Sequence, residues 1–339
     1  MKKVRIAQIG VNINSHGGEV FHTLNHLPEY FEVVGYTFVE DEKETCQKHF
    51  RHFEGYREMT LDEILNDPSI EAVTVETDEI HLTKYAQMAA DAGKHIHMEK
   101  PGSQSLEDFQ RLIETVKKNK KTFHIGYMYR YTPYIVDLIS RVRANELGEI
   151  FSVEAHMSRT DNIAVRQWLS HFKGGMMFYL GCHLIDLILQ IQGIPDEIIP
   201  LNTSTGFNGV TSEDYSMAVF KYRNGVSFAR IAATEVGGYR RRQLVVMGEK
   251  GTIEINPIEC SPEYKPTKYS LFSKKYERLK LDDGTTQMSE YTSEVFDRYE
   301  KMLISFAKMV RGELENPYTA DYELELFKVI LKCCDVQYE

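Results

Sequence analysis

Val4-Arg-Ile-Ala-Gln-Ile9 closes on Gly10, passes through a polar loop and leads into a helical stretch from about Gly18 to Leu27. A short apolar-rich run that stops at a glycine and is followed by helical periodicity reads as strand, turn, helix. The beat recurs downstream. Glu32–Val39 reads as a second strand, and after Leu61–Asn66 the run Ala72–Val75 reads as a third. A helix over Leu82–Ala92, a strand His95–Met98, a helix Leu106–Lys117 and a strand Thr122–Ile125 follow. Strands and helices alternating at this spacing build parallel βαβ units, with helices over both faces of one sheet. Residues 1–125 therefore predict a doubly wound α/β domain.

Beyond residue 127 the rhythm changes. One helix near Tyr134–Asn145 precedes a strand Ile150–Met157 and a helix carrying His183–Ile191. The β-like runs Tyr215–Tyr222, Val226–Thr234, Gln243–Met247 and Thr252–Ile255 come next, punctuated by Arg223-Asn224-Gly225 and Gly248-Glu-Lys-Gly251. Turn signals between short strands predict antiparallel pairing. Helices over Val295–Arg311 and Tyr322–Cys334 close the chain. At 339 residues it exceeds the roughly 100–200 of one domain, so residues 126–339 are expected to form a second, α+β domain. The two terminal helices could pack back on the first domain.

Composition excludes several classes of partner. Fifty acidic against forty basic side chains give a net charge of −10, a field that repels phosphate backbones and anionic lipid. Neither nucleic acid nor membrane is expected, and Arg240-Arg241-Arg242 is too short a run for a nucleic-acid footprint. It reads instead as a solvated or ion-paired strand end. No run of about 18 apolar residues occurs and the start leads straight into a strand, which together predict a cytoplasmic protein. The five cysteines (Cys46, Cys182, Cys260, Cys333, Cys334) are odd in number and lack ligand spacing. Reduced thiols and no metal site are expected.

A strand, Gly10 and a helix form a turn where a dinucleotide pyrophosphate can lie against helix N-terminal amides. The usual G-x-G-x-x-G is altered here, because Asn12 and Ser15 replace its second and third glycines, with Gly17 and Gly18 following. A stronger signal is Lys94-His-Ile-His-Met-Glu-Lys-Pro101, a strand running into Glu99-Lys100-Pro101. A lysine at the carboxyl end of a parallel strand points into the ligand crevice of such sheets.

Glu99-Lys100-Pro101 resembles the E-K-P motif of the Gfo/Idh/MocA oxidoreductases (glucose-fructose oxidoreductase, inositol dehydrogenase and relatives). Gly174-Gly-Met-Met-Phe-Tyr-Leu-Gly-Cys-His-Leu-Ile-Asp186 is similar to their G-G-x-x-x-D-x-G-x-H-x-x-D segment, with Tyr179 in place of the first aspartate. Gly126-Tyr-Met-Tyr-Arg-Tyr-Thr-Pro133 resembles their G-F-N-R-R-F-x-P, and Leu147–Ile150, Gly248–Thr252 and Phe306–Gly312 match softer motifs in the same order. The resemblance covers nearly the whole chain. It implies a Rossmann domain followed by a domain with a large open, mostly antiparallel sheet that serves as substrate wall and oligomer interface, hence a homodimer or homotetramer.

It also implies roles. Lys100 reaches both the nicotinamide ribose and the substrate hydroxyl, and His183 falls on the catalytic histidine. Gly10, Asn12, Ile13, Phe38, Thr77, His81, Glu99 and Lys100 fall on the cofactor side. Tyr127, Arg130, Trp168, Tyr179 and His183 are the expected substrate contacts. On an α-helix positions 179 and 183 share a face, so Tyr179 is expected to join the catalytic group as a hydrogen-bonding or proton-relay partner of His183. With an ordinary pKa near 6.5, His183 suits the general acid/base, while Lys100 orients and polarises the hydroxyl. The implied activity is hydride transfer between NAD(P) and a hydroxyl carbon of a sugar, polyol or related small molecule.

Three cofactor positions depart together from that pattern. The loop glycines are changed, and Phe38 stands where an acid would hold the adenosine ribose, with Glu40 and Asp41 close by. Glu76-Thr-Asp-Glu-Ile-His81 replaces A-T-P-x-x-x-H, putting carboxylates beside a pyrophosphate. At about 4 Å and an effective dielectric near 20, such a like-charge contact costs about 4 kcal/mol. No arginine closely follows the second strand to hold a 2′-phosphate, which favours NAD over NADP. Two alternatives stay open: a redox-silent small-molecule sensor or scaffold, and a glycosidase that recycles bound NAD with no net redox change.

Overall fold

In the first part of the chain β1 (Val4–Ile9), α1 (Gly17–Asn25), β2 (Phe31–Thr37), α2 (Glu42–Thr45), α3 (Leu61–Asn66), β3 (Ala72–Val75), α4 (Leu82–Asp91), β4 (His95–Met98), α5 (Leu106–Asn119) and β5 (Phe123–Ile125) follow in order. The computed structural model describes residues 2–261 and 269–337. Its strands pair in parallel in the order β2-β1-β3-β4-β5. Every residue of β3, Ala-Val-Thr-Val, is buried, as expected of a central parallel strand covered on both faces. Helix α5 shows how local sequence sets element ends. The Ser105 side chain accepts from the Asp108 amide, acids occupy the first turn and Lys117 and Lys118 the last, complementing the helix dipole.

This strand order puts the topological switch between β1 and β3, where the connections leave in opposite directions and a crevice opens at the carboxyl ends of the strands. The loops after those two strands are tied together there. The Asn12 amide donates to the Glu76 carbonyl (3.2 Å) and Ser15 Oγ donates to the same oxygen (3.1 Å). Gly10 has φ +91°, and a Cβ on it would lie 2.9 Å from the Glu76 carbonyl and from Thr77 Cβ. Only glycine allows this approach.

The second sheet is built from β6 (Ile150–Ser158), which follows α6 (Pro133–Arg143), and, after α7 (Ile163–Trp168) and α8 (Cys182–Gln192), from β7 (Glu197–Thr203), β8 (Tyr215–Tyr222), β9 (Gly225–Ala232), β10 (Gln243–Gly248), β11 (Gly251–Ile255), β12 (Lys274–Lys280) and β13 (Thr286–Thr292). The order is β13-β12-β11-β10-β6-β9-β8-β7. Neighbours are antiparallel except β6 and β9, which run parallel. Both turns read from the sequence are present, Tyr222 pairing with Gly225 and Gly248 with Gly251. Helix α8 packs on β6 and β9, and α6 on α8 and β11.

The chain closes with α9 (Glu300–Val310) and α10 (Ala320–Cys333). Contacts divide the protein into one unit of Met1–Tyr127 with Tyr299–Phe327 and another of Met128–Arg298 with Lys328–Glu339. Aromatic packing explains why 299–327 joins the first unit. The Phe306 ring lies 5.7 Å from that of His97 and 5.5 Å from that of His124, and Phe327 stacks on Phe109 at 4.1 Å. Each fully buried phenylalanine contributes roughly 1.5–3 kcal/mol. All five cysteines are buried thiols outside any disulfide. Among the described residues no helix is long and apolar enough to cross a membrane.

The Gly174-Gly175 pair shows backbone constraint overriding side-chain chemistry. Their φ angles are +82° and +41°, and a Cβ would lie 2.5 Å from Cys334 in the first case and 2.1 Å from the Glu213 carbonyl oxygen in the second. A carbonyl oxygen fixed in backbone cannot yield as a flexible side chain would. Gly175→Ala is therefore expected to destabilise the protein by more than about 2 kcal/mol, read as a lowered urea midpoint at unchanged slope.

Candidate active site

In the first unit the strand ends gather a dense set of buried ionisable groups. Lys100, just past β4, is 1% exposed, and its Nζ lies 3.3 Å from Glu99 and 3.7 Å from Glu79. Glu76 and Glu79 follow β3, are fully buried, and have carboxylate oxygens that accept no hydrogen bond. Burial pushes the Glu79 carboxyl up to about 8, against the pull of Lys100. Glu76 is raised well above its ordinary value by burial and then by Glu99 and Glu19. His97 sits 3.8 Å from Glu76, pairs through Nδ1 with Nδ1 of His124 at 2.7 Å, and is depressed by burial to about 3, so it is neutral. Among the described residues no cluster of three or more His, Cys, Asp or Glu could hold a metal ion.

The turn after β1 is organised by a residue the sequence reading did not single out. Glu42, the first residue of α2, accepts hydrogen bonds from the Val11 amide (3.0 Å), the Val39 amide (3.0 Å) and the Thr77 hydroxyl (2.7 Å). One carboxylate thus joins the loops after β1, β2 and β3. Burial raises it to about 7 despite these three donors. Other loop donors are also engaged. The Ile13 amide faces the Cys46 sulfur, the Asn14 amide donates to Asn12 Oδ1 (2.8 Å) and the Gly17 amide to Ser15 Oγ (3.0 Å).

The remaining residues expected on the cofactor side are dispersed. Phe38 packs edge-on to Tyr36 and against Phe50, at 5.4 and 4.8 Å, beside the apolar cluster of Val11, Phe21 and Phe53. Glu40, which stood near enough in sequence to replace an acid at position 38, is bonded to Lys84 (2.6 Å) and the Tyr85 hydroxyl (2.9 Å) on α4. His81 caps α4 and lies 3.7 Å from Glu40. Tyr127 is buried at the end of this unit, just after β5.

In the second unit His183 lies in the first turn of α8 and is 1% exposed. The α-helical spacing expected between positions 179 and 183 is not what forms. Met177–Gly181 is a π-helical turn leading into α8, the kind of local widening that often marks functional segments. Tyr179 packs edge-on to Trp168 at 5.0 Å, whereas the His183 ring meets Tyr129 edge-on at 5.1 Å. Arg130 forks onto Asp186, Nε to Oδ2 at 3.0 Å and Nη2 to Oδ1 at 2.8 Å, with Gln190 adding a bond to Oδ2. Its guanidinium thus braces α8 through a bidentate pair.

Tyr129 is held in turn. Its hydroxyl donates to Glu259 (2.9 Å) and accepts from Arg242 (2.7 Å), while Arg298 grips the same carboxylate with two bonds. Burial raises the Tyr129 phenol, which stays neutral. Burial also pushes Glu259 up, but Arg298 and Arg242 outweigh it and hold the carboxyl below its ordinary value. The arginine run therefore divides: Arg241 pairs with Glu235 near the surface and Arg242 is a core residue. Glu259 has no signature in sequence because its partners lie 17, 39 and 130 positions away.

Breaking such a set leaves two guanidiniums without their shared anion. Glu259→Gln is expected to cost about 3–5 kcal/mol at pH 7. Because the folded carboxyl is lowered, its stabilisation is present above the unfolded value and lost as pH falls through the folded one. Urea titrations of the two proteins should accordingly converge in acid.

Two family models match the chain: "Oxidoreductase family, NAD-binding Rossmann fold" over residues 4–127 and "GFO/IDH/MocA C-terminal domain" over residues 135–254. Among curated relatives, the uncharacterized oxidoreductase YhhX of Escherichia coli is 30% identical over 41% of this chain and 40% of its own. The glucose-6-phosphate 3-dehydrogenase of Bacillus subtilis is 25% identical over 66% of this chain and 63% of its own. The matched regions thus span less than two thirds of those relatives. Among solved structures, aldose-aldose oxidoreductase from Caulobacter crescentus superposes with TM-score 0.78 at 19% identity, covering 99% of this chain and 97% of that one. Levoglucosan dehydrogenase, in complex with NADH and levoglucosan, gives TM-score 0.78 at 17% identity, covering 98% of each.

Proposed function

The chain belongs to the Gfo/Idh/MocA oxidoreductases, and on that premise we propose that it is a dehydrogenase moving a hydride between NAD and a hydroxyl carbon of a sugar- or polyol-like small molecule. The observation that carries this reading is Lys100, an ammonium buried at the carboxyl end of a parallel strand with Glu99 and Glu79 around it. Desolvating that many charges is costly, and a fold retains such an arrangement where a ligand uses it. Relatives named as dehydrogenases of glucose 6-phosphate and D-xylose support the substrate class.

Glu76 and Glu79, buried and without hydrogen bonds, are pushed by burial toward their neutral forms, which lessens their repulsion of a pyrophosphate. At Gly10 the chain approaches the Glu76 carbonyl with no side chain between the loops after β1 and β3. Gly10, Asn12, Ile13, Thr77 and Glu99 would hold the dinucleotide, and Phe38 and His81 would border its adenosine end. The acids Glu40, Asp41 and Glu42 after β2 oppose a 2′-phosphate, which supports NAD over NADP. When bound, the nicotinamide supplies the hydride acceptor or donor.

The chain's own residues do the rest. Lys100 Nζ donates to the substrate oxygen and polarises it. His183, its ring packed against the anchored Tyr129, takes or returns the hydroxyl proton. Tyr179, Trp168, Tyr127 and Arg130 shape the surroundings of the sugar. Exposed apolar residues on strands or strand ends of the second sheet, Phe151, Leu201 and Val226 among them, support a homodimer or homotetramer formed through that sheet. Five buried thiols fit a reducing cytoplasm.

A second reading, the redox-silent sensor, is favoured by one observation: Glu42, Cys46 and Ser15 already engage loop donors that a pyrophosphate would use. A screen of sugars and polyols with NAD, followed by nicotinamide absorbance, separates the two. Turnover with at least one of them is expected, falling about 10²-fold or more in Lys100→Ala and in His183→Ala. Full-rate variants would remove the assigned roles, and no turnover with any sugar or polyol would favour the sensor.

A further inference from the structure

Glu79 has no part in the chemistry so far, yet it is a fully buried carboxyl facing the key ammonium. It lies in the loop after β3, and both its oxygens are without a hydrogen bond. The ionisable groups around it are Lys100 and Glu99 from the end of β4 and Asp78 from its own loop, with Glu76 at the start of that loop. Three carboxyls thus share the surroundings of one ammonium, and in a desolvated site they cannot all be ionised together.

We propose that Glu79 is a positioning residue that titrates against Lys100, its proton deciding how much of the ammonium's charge is available to the substrate oxygen. This deepens the reading of Lys100 given above and rests on it. Protonated, Glu79 withdraws one negative charge from the surroundings of Nζ, and the ammonium polarises the substrate oxygen. Ionised, it adds a full negative charge 3.7 Å from Nζ, offsets that pull and holds the amine toward the sheet. Burial raises Glu79 to about 8, so the neutral form predominates at pH 7 and the polarising power of Lys100 declines in mild alkali. Glu99 stands closer to the same ammonium, at 3.3 Å, and is the second carboxyl of the pair.

The test needs neither substrate nor cofactor. Urea unfolding of the whole chain is measured from pH 5 to 10 for wild type, Glu79→Gln, Lys100→Met and the double variant. A carboxyl raised on folding contributes stability below its unfolded pKa and loses it as pH climbs toward the folded one. The folding constant of Glu79→Gln relative to wild type should therefore rise about tenfold per pH unit between pH 5 and 8, then level off. In the Lys100→Met background the levelling should move up by at least one pH unit, because the cation that favours ionisation is gone. A ratio constant across pH, or a plateau at the same pH in both backgrounds, overturns the proposal.

A Glu79 that is raised by burial alone and not coupled to Lys100 would level off at the same pH in both backgrounds. Should Lys100→Met fail to fold, a difference proton titration of folded wild type against folded Glu79→Gln serves instead. It should show one extra proton released between about pH 7 and 9, and no difference would refute the assignment. Thermal shifts with NAD(H) and NADP(H) on the same proteins keep the two ideas apart. The expected titration in a protein that binds neither dinucleotide would reject the oxidoreductase reading of the site while leaving the Glu79–Lys100 pair standing.

Discussion

Desolvated charge is the constraint on which this structure depends. The first unit buries Lys100 with Glu76, Glu79 and Glu99 at the ends of β3 and β4, and the second buries Arg242 and Arg298 around Glu259. Such groups are stable only when geometry supplies partners or a proton. The surrounding fold can be understood as the means of supplying them. Parallel strands end together at one edge of the first sheet and bring the three carboxyls to one lysine. In the second unit, β10 begins just after Arg242, and Tyr129, Glu259 and Arg298 close around that arginine.

The two sets do different work. The Glu259 set is tied by several charge-assisted bonds and its carboxyl sits below its ordinary pKa, which keeps it ionised and the set rigid at neutral pH. Through Tyr129 that rigidity reaches the ring of His183. The Lys100 set is the reverse: the carboxyl oxygens of Glu76 and Glu79 accept no hydrogen bonds and both groups are raised by burial. Within it Glu79, raised to about 8, is the group that exchanges its proton closest to neutrality.

Much of this architecture was legible because strand-helix alternation is a periodic signal, and the βαβ beat of residues 4–125 carries it at every step. The strands that escaped, β7, β12 and β13, are Glu-Ile-Ile-Pro-Leu-Asn-Thr, Lys-Lys-Tyr-Glu-Arg-Leu-Lys and Thr-Gln-Met-Ser-Glu-Tyr-Thr. A proline interrupts the first, and the other two are polar, with little apolar alternation to read. The segments around Lys100 and His183 were visible as motifs. Glu42, Glu79 and Glu259 were not, since a buried charge is defined by partners distant in sequence, and an acid beside a turn looks like any solvated acid. The π-turn at Met177–Gly181 was hidden for a related reason: apolar residues on every side carry no phase from which a widened turn could be told from an α-helical one.

The central claim is that the first unit takes a nicotinamide dinucleotide, with NAD preferred, despite carboxylates at the strand ends and loop donors already engaged by Glu42. Calorimetric titration of NADH and of NADPH into the purified protein at pH 7 tests it most directly. The account predicts one NADH per chain, with NADPH bound at least about tenfold more weakly because its 2′-phosphate meets the acids after β2. Absence of heat with both, confirmed by absence of any thermal shift, would contradict it.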